Sequence, residues 1–498
     1  MHEADSWGTE FIFILPPNNP ALFQAYCCFF GRSSENDIVL NIEYTRIDNS
    51  NAAKKKDKFR FNSYLCYDFD HLAMNDTIEG LHMLGNDRIH VTSSDKISVL
   101  CYINDLKTLV DAFLVHPVGM GGDYYAFSLP GRSTMTLYFL PLGATNETIS
   151  QSHCVHNVSI TVKQNNKLET IKQNMKAGSL WQYTAPIEQT VSVWIRDRLN
   201  NPITKGRMMV IASIRNVSVS GVKRIGFGCF MPTPMIVDQC AKLINPAYHP
   251  AQKKFAENLL LTAPSPRCPQ DTINITNIMT EQSKSLLMKW NKGAEEINTR
   301  DKIFKEIFSI TSEITMMNIV NYGDSKGIYI HEIPEFSQWI TDDTLSINLP
   351  SGFKGVAHIL VANGEKPPYD IVEQEMRING SGMRRFSIEQ FNRYLPIVIG
   401  EVNGNFIGYV AAINLRSIPS PIFAKPDTTT VLLTTTIMTT TEEGCLVDFT
   451  EAKPSTSMVS KQLKIQNAAT QNASISILLS NNLFAIYLCL MIYSEIEQ

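Results

Sequence analysis

The sequence is poor in charge. Asp, Glu, Lys and Arg make up 18% of it against 44% hydrophobic residues, below the charged fraction of about 25% usual in soluble domains, and that balance excludes a globally disordered chain. It also lacks a surplus of either sign. With 44 Lys and Arg against 48 Asp and Glu, a formal charge of −4, no overall field draws nucleic acid to it. No Cys-x-x-Cys pair occurs among the ten cysteines, which leaves a zinc ribbon or thioredoxin-like redox site without support. No Gly-x-Ser-x-Gly elbow or His-Glu-x-x-His helix is present. The run Gly119 to Asp123 lacks the Gly-Lys-Ser/Thr ending of a phosphate loop and reads as a turn. Helical pattern is scarce too: Ser283 to Phe308 is the best helical stretch and is only partly periodic.

Strand pattern is abundant instead. Candidate strands are Thr9 to Leu15, Ile38 to Tyr44, Ile97 to Ile103, Tyr124 to Leu129, Met135 to Leu140, Val158 to Val162, Val191 to Ile195 and Met209 to Ile214, followed by Ile328 to Ile333, Gly355 to Ala362 and Ile397 to Val402. Turn residues separate them at short intervals, which points to a mainly β fold of tandem antiparallel sandwich-like units rather than βαβ repeats. The best hairpin signal is Val402-Asn403-Gly404-Asn405, because Asn-Gly supplies the two positive φ angles of a type I′ turn. At about 150 residues per domain, 498 residues predict two to four units. The expected division is a β region over 1–240, divisible near 140, a second β-rich domain or divergent continuation over 241–417, a Thr/Pro-rich stalk over 418–460, and an anchor signal over 461–498.

Cys27, Cys28, Cys66, Cys101, Cys154, Cys229, Cys240 and Cys268 fall in the first 268 residues and could close four bridges, with the connectivity open. Seven Asn-x-Ser/Thr sequons, at Asn75, Asn146, Asn157, Asn216, Asn274, Asn379 and Asn472, permit secretion without demanding it. Thr triplets at 428–430, 434–436 and 439–441, flanked by prolines, have the composition of an O-glycosylated stalk. From Ile475 to Tyr493, 15 of 19 residues are apolar, a length that would span about 28 Å as a helix. No Lys or Arg follows that stretch, which favours a removable lipid-anchor tail over a retained single span. The start, Met1-His2-Glu3-Ala4-Asp5, has neither a basic region nor an apolar core of a signal peptide, so a start truncated ahead of Met1 is expected.

Residues able to do chemistry are scattered. Asp68, Asp70 and His71 could offer calcium ligands but complete no known spacing, and His153-Cys154-Val155-His156 has metal-ligand types without a partner pair. Lys54 to Lys58, the sharpest basic run, is expected as a solvated loop between strands. No catalytic residue, cofactor or metal is expected; an extracellular hydrolase remains an alternative, with Asp68, Asp70, His71 and His116 as the residues to inspect.

Three segments carry a family resemblance: Gly8-Thr9-Glu10-Phe11-Ile12-Phe13-Ile14-Leu15-Pro16-Pro17-Asn18, Ile89-His90-Val91-Thr92-Ser93-Ser94-Asp95-Lys96-Ile97-Ser98-Val99, and Asp111-Ala112-Phe113-Leu114-Val115-His116-Pro117-Val118-Gly119-Met120-Gly121-Gly122-Asp123-Tyr124-Tyr125. In order and approximate spacing they resemble the IgGFc-binding protein N-terminal domain, over about residues 8–239. The resemblance implies an extracellular, mucus- or surface-associated protein that binds rather than catalyses. It supplies no mapped contact residue, and the cysteine-dense von Willebrand type D modules of the large mucus proteins are absent from this sequence. The expectation is a cell-surface or secreted binding or adhesion protein, with a purely structural layer component as the alternative. Its expected partners are an extracellular protein or glycan and, through the C-terminal tail, a membrane, with no nucleic acid.

Overall fold

The computed structural model describes residues 6–412, less a series of short segments of which the longest is 144–154, and from residue 335 onward it describes almost exclusively backbone. The protein is mainly β, built from antiparallel sheets. Among the described residues there is no α-helix, and Val118–Met120 forms a 3-10 turn.

The first eight strands are β1 (Gly8–Phe13), β2 (Gln24–Gly31), β3 (Ile38–Asp48), β4 (Asn51–Phe61), β5 (Tyr64–Asp68), β6 (Gly80–Leu84), β7 (Ile89–Asn104) and β8 (Leu109–Val115). All but β6 join one seven-stranded sheet organised by β7. One edge of β7 takes β3 at residues 90–93 and then β2 at 97–104, while the opposite edge takes β1 and then β8. β4 extends this sheet beyond β3, and β5 extends it beyond β2. Thr9 to Leu15, Ile38 to Tyr44 and Ile97 to Ile103 lie within or overlap these strands, but Lys54 to Lys58 corrects the sequence reading. It is not a loop: the run sits inside β4, whose alternation of exposed Lys54, Lys56, Lys58 and Arg60 with inward Phe59 and Phe61 is a strand with one solvated face.

Next come β9 (Tyr124–Leu129), β10 (Ser133–Pro141), β11 (Val155–Gln164), β12 (Lys167–Lys176), β13 (Leu180–Ile187), β14 (Val191–Leu199), β15 (Met208–Ser218) and β16 (Ile225–Phe230). They form a central sheet, β16-β15-β10-β13-β6, and an outer one, β12-β11-β14-β9. The central sheet is buried on both faces. Tyr138, Leu140, Met209, Ile211 and Phe227 pack with Phe11, Leu40, Val91 and Val99 of the first sheet. Their neighbours Leu137, Phe139, Val210 and Ala212 pack with Phe127, Val158, Val193 and Ile195 of the outer one. That is why β10 and β15 read as unbroken apolar runs while β3 alternates.

A second sandwich follows, from β17 (Ala247–Pro250), β18 (Ala256–Thr262), β19 (Asp271–Asn277), β20 (Ser283–Met288), β21 (Glu295–Asn298), β22 (Ile307–Ser312), β23 (Asn318–Asp324) and β24 (Ile328–Glu332). Sheets β17-β22-β19-β20 and β21-β18-β23-β24 enclose Leu259, Leu261, Ile273, Ile275, Trp290 and Phe308. The helix expected over Ser283 to Phe308 is overturned here. Strands β20, β21 and the start of β22 occupy it, and β20 puts Leu286 and Met288 inward while Leu287 stays 57% exposed, a period of two. Leu260, Val320 and Ile330 face the other way and join the core of the first sandwich. Close approach there depends on glycine: a Cβ on Gly226 or Gly228 of β16 would lie 2.1 or 2.5 Å from Ile328 or Ile330.

Seven further strands complete the described chain: β25 (Thr344–Leu349), β26 (Lys354–Asn363), β27 (Asp370–Asn379), β28 (Gly382–Ser387), β29 (Leu395–Val402), β30 (Asn405–Tyr409) and β31 (Ala411–Ala412). They make sheets β28-β25-β31 and β27-β26-β29-β30. β29 and β30 pair with Val402 opposite Asn405, and the Asn403-Gly404 pair between them lies outside the described residues. Among the described residues no helix is long and apolar enough to cross a membrane. The Thr-rich stretch and the apolar tail lie outside those residues.

Candidate functional site

Among the described residues three disulfides are formed: Cys27–Cys101, Cys28–Cys66 and Cys240–Cys268. The first two follow from adjacency in sequence. Consecutive residues of a strand point to opposite faces, so Cys27 reaches Cys101 of β7 on the core face, and Cys28 reaches Cys66 of β5 on the other. Both pairs are in direct register, with Cα atoms 4.0 Å apart. The expectation that eight cysteines close four bridges is corrected at Cys229, a free thiol fully buried in β16. Cys154 lies outside the described residues.

The sequons separate by exposure. Asn157 on β11 and Asn216 on β15 are exposed, and Asn216 has φ of +58° where the β15/β16 register shifts. Asn274 is half-buried and its Oδ1 accepts a hydrogen bond from Ser285 Oγ at 2.6 Å. Asn379 ends β27, and Asn75, Asn146 and Asn472 lie outside the described residues.

Buried ionisable groups gather where β8, β16 and β24 meet. A cavity of about 20 Å³ there is lined by His116, Thr233, His331 and Glu332 among apolar neighbours; it has room for about one water and for no organic substrate. Glu332 accepts hydrogen bonds from the Thr233 backbone N–H (2.7 Å), the Thr233 hydroxyl (2.6 Å) and Asn318 Nδ2 (2.5 Å). Burial nevertheless pushes its carboxyl up to about 7, and burial pushes His116 down to about 4. Nearby, Asp111 accepts from the backbone N–H groups of Cys229 and Ala112 and so holds β16 against β8. Of the residues flagged for chemistry, only His116 reaches this junction. Asp68 is exposed on β5, and Asp70, His71 and His153 lie outside the described residues. His156 is buried with both nitrogens engaged, Nδ1 at 2.8 Å from Asp197 Oδ2 and Nε2 donating to the Leu142 carbonyl at 2.9 Å, which leaves no free nitrogen for a base or a metal bond. Among the described residues no group of three His, Cys, Asp or Glu could hold a metal ion.

The other candidate is a surface. The outer face of β4 carries Lys54, Lys56, Lys58 and Arg60. Beneath them, Lys55 pairs with Asp57 at 3.0 Å and donates to the Tyr67 hydroxyl at 3.0 Å, and Tyr44, Phe59, Tyr67 and Phe69 stack edge to face. This packing fixes the strand from below. The signal was in the sequence: basic residues at 54, 56, 58 and 60 with Phe59 and Phe61 at alternate positions are strand periodicity, obscured by counting the lysines as one run. No protein-family model matches the chain, and no curated protein matches it.

Proposed function

We propose that the chain is a non-enzymatic extracellular protein that binds or adheres at a cell surface or in a mucus, matrix or defence layer. The observation that carries this reading is the pair of bridges on Cys27 and Cys28. Structural disulfides of this kind persist in oxidising compartments and are rare in the cytosol, and three are formed among the described residues. Support also comes from exposed Asn157 and Asn216, and from the segments resembling the IgGFc-binding protein N-terminal domain. The Thr-rich stretch suits a stalk and the apolar tail a lipid anchor or single span. The test uses native protein. Thiol alkylation before reduction should leave Cys27, Cys28, Cys66 and Cys101 unlabelled, and residues 1–417 should bind saturably to a member of an array of extracellular proteins and glycans. Labelled cysteines in a cytosolic protein overturn the reading; oxidised protein without saturable binding reduces it to a structural layer component.

A further inference from the structure

We infer that the outer face of β4 is a binding site for a linear sulfated polysaccharide, with Lys54, Lys56, Lys58 and Arg60 as its contact row. The inference names a ligand class for the binding reading above and rests on it. In a strand, residues two apart project from the same face about 7 Å apart, so these four form a straight row of about 20 Å. β4 stands at the end of its sheet, and the row is exposed along its length. Lys58 and Arg60 have no carboxylate partner among the described residues. Lys56 pairs with Glu43 at 2.9 Å with its side chain 72% exposed, a contact weak enough for a ligand anion to displace.

Two further observations select the polymer. On the strand next to the row, Val39, Asn41, Glu43 and Thr45 lie opposite Arg60, Lys58, Lys56 and Lys54. Asn41 is exposed there and donates to Thr92 Oγ1 at 3.2 Å, an amide and a hydroxyl that suit sugar hydroxyls. No aromatic side chain stands among the four cations on that face, so nothing there would stack a nucleobase. Lysines on an edge strand also discourage pairing with other strands, and β12 shows what that role alone looks like. It is likewise a terminal strand, but its exposed Lys172 and Lys176 are separated by Asn174, and Lys167 is matched by Glu169 at 3.7 Å. An unbroken row of one sign, in a chain whose net charge is −4, exceeds what edge protection needs.

The experiment uses the full chain and three immobilised probes: a heparin oligosaccharide, its desulfated counterpart, and poly-glutamate. The heparin probe should bind, with log affinity falling against log salt at a slope of about three for four contacts, by analogy with polyphosphates. Lys58→Ala should lower affinity about fivefold and reduce the slope by about one. Lys58→Glu with Arg60→Glu should lower it at least about twentyfold, whereas Lys172→Glu on β12 should change it less than about twofold. Circular dichroism and the mass of the intact bridges verify folding of each variant. Absence of heparin binding overturns the site. So does equal loss from Lys172→Glu, which would be a nonspecific charge effect, equal binding of the desulfated probe, or tighter binding of poly-glutamate, which would make the occupant an acidic peptide. These outcomes leave the extracellular reading standing, since that one falls on thiol labelling instead.

Discussion

The seven-stranded sheet and the central sheet behind it solve the same problem in different ways. The central sheet has no disulfide among the described residues, carries the free thiol of Cys229, and is held by apolar side chains on both faces. The seven-stranded sheet gives part of one face to solvent, including the whole outer row of β4, and carries two of the three bridges among the described residues. A layer that leaves a face in water loses stabilisation of about 25 cal/mol for each Å² left wet. Cross-linking restores part of it by restricting the unfolded chain.

The contrast breaks most visibly in the central sheet. Phe139→Ala on β10, fully buried between β13 and β15, should cost about 4 kcal/mol, read as a lowered urea midpoint. A loss below about 1 kcal/mol would mean that this sheet does not depend on packing as described. Removing the outer bridge with Cys28→Ala and Cys66→Ala should cost up to about 4 kcal/mol, since it opens a loop of 38 residues. Because Cys66 is exposed whereas Cys27 and Cys101 are both buried, limited reduction should open Cys28–Cys66 first, checked by alkylation and mass spectrometry.

The smallest effect concerns the junction that joins these layers to the second sandwich. Glu332 keeps its proton to about pH 7 when folded, against 4.5 ordinarily. The folded state therefore holds more protons between those values, and stability falls as pH rises from about 4.5 to 7. Glu332→Gln should flatten that fall by about 3 kcal/mol at neutral pH, measured as the difference in Tm between pH 5 and pH 8. His116 acts in the opposite sense. Its folded value of about 4 lies below the ordinary 6.5, so its contribution is present above pH 6.5 and is lost as pH falls through 4.

Much of this architecture was legible because strand periodicity is a local property. Tyr124 to Leu129 reads off the sequence as the strand it forms, β9, and Val402 and Asn405, on either side of the predicted turn, pair with each other. Ser283 to Phe308 misled because Leu286 and Leu287 are adjacent. A strand must send them to opposite sides, and at this edge strand the outward one is simply left exposed. The Glu332 junction was illegible for another reason: Thr233 lies 99 positions from Glu332, and no local pattern specifies which sheet edges will converge.

The two bridges of β2 also determine where a pulling force can travel. Cys27 and Cys101 are 74 positions apart, so tension applied at the chain ends bypasses everything between them and withholds about 250 Å of contour length from extension. β3, β4 and the Cys28–Cys66 bridge all lie inside that closed segment. While the bond is intact, a pull on the chain outside Cys27 and Cys101 cannot extend the segment that contains β4.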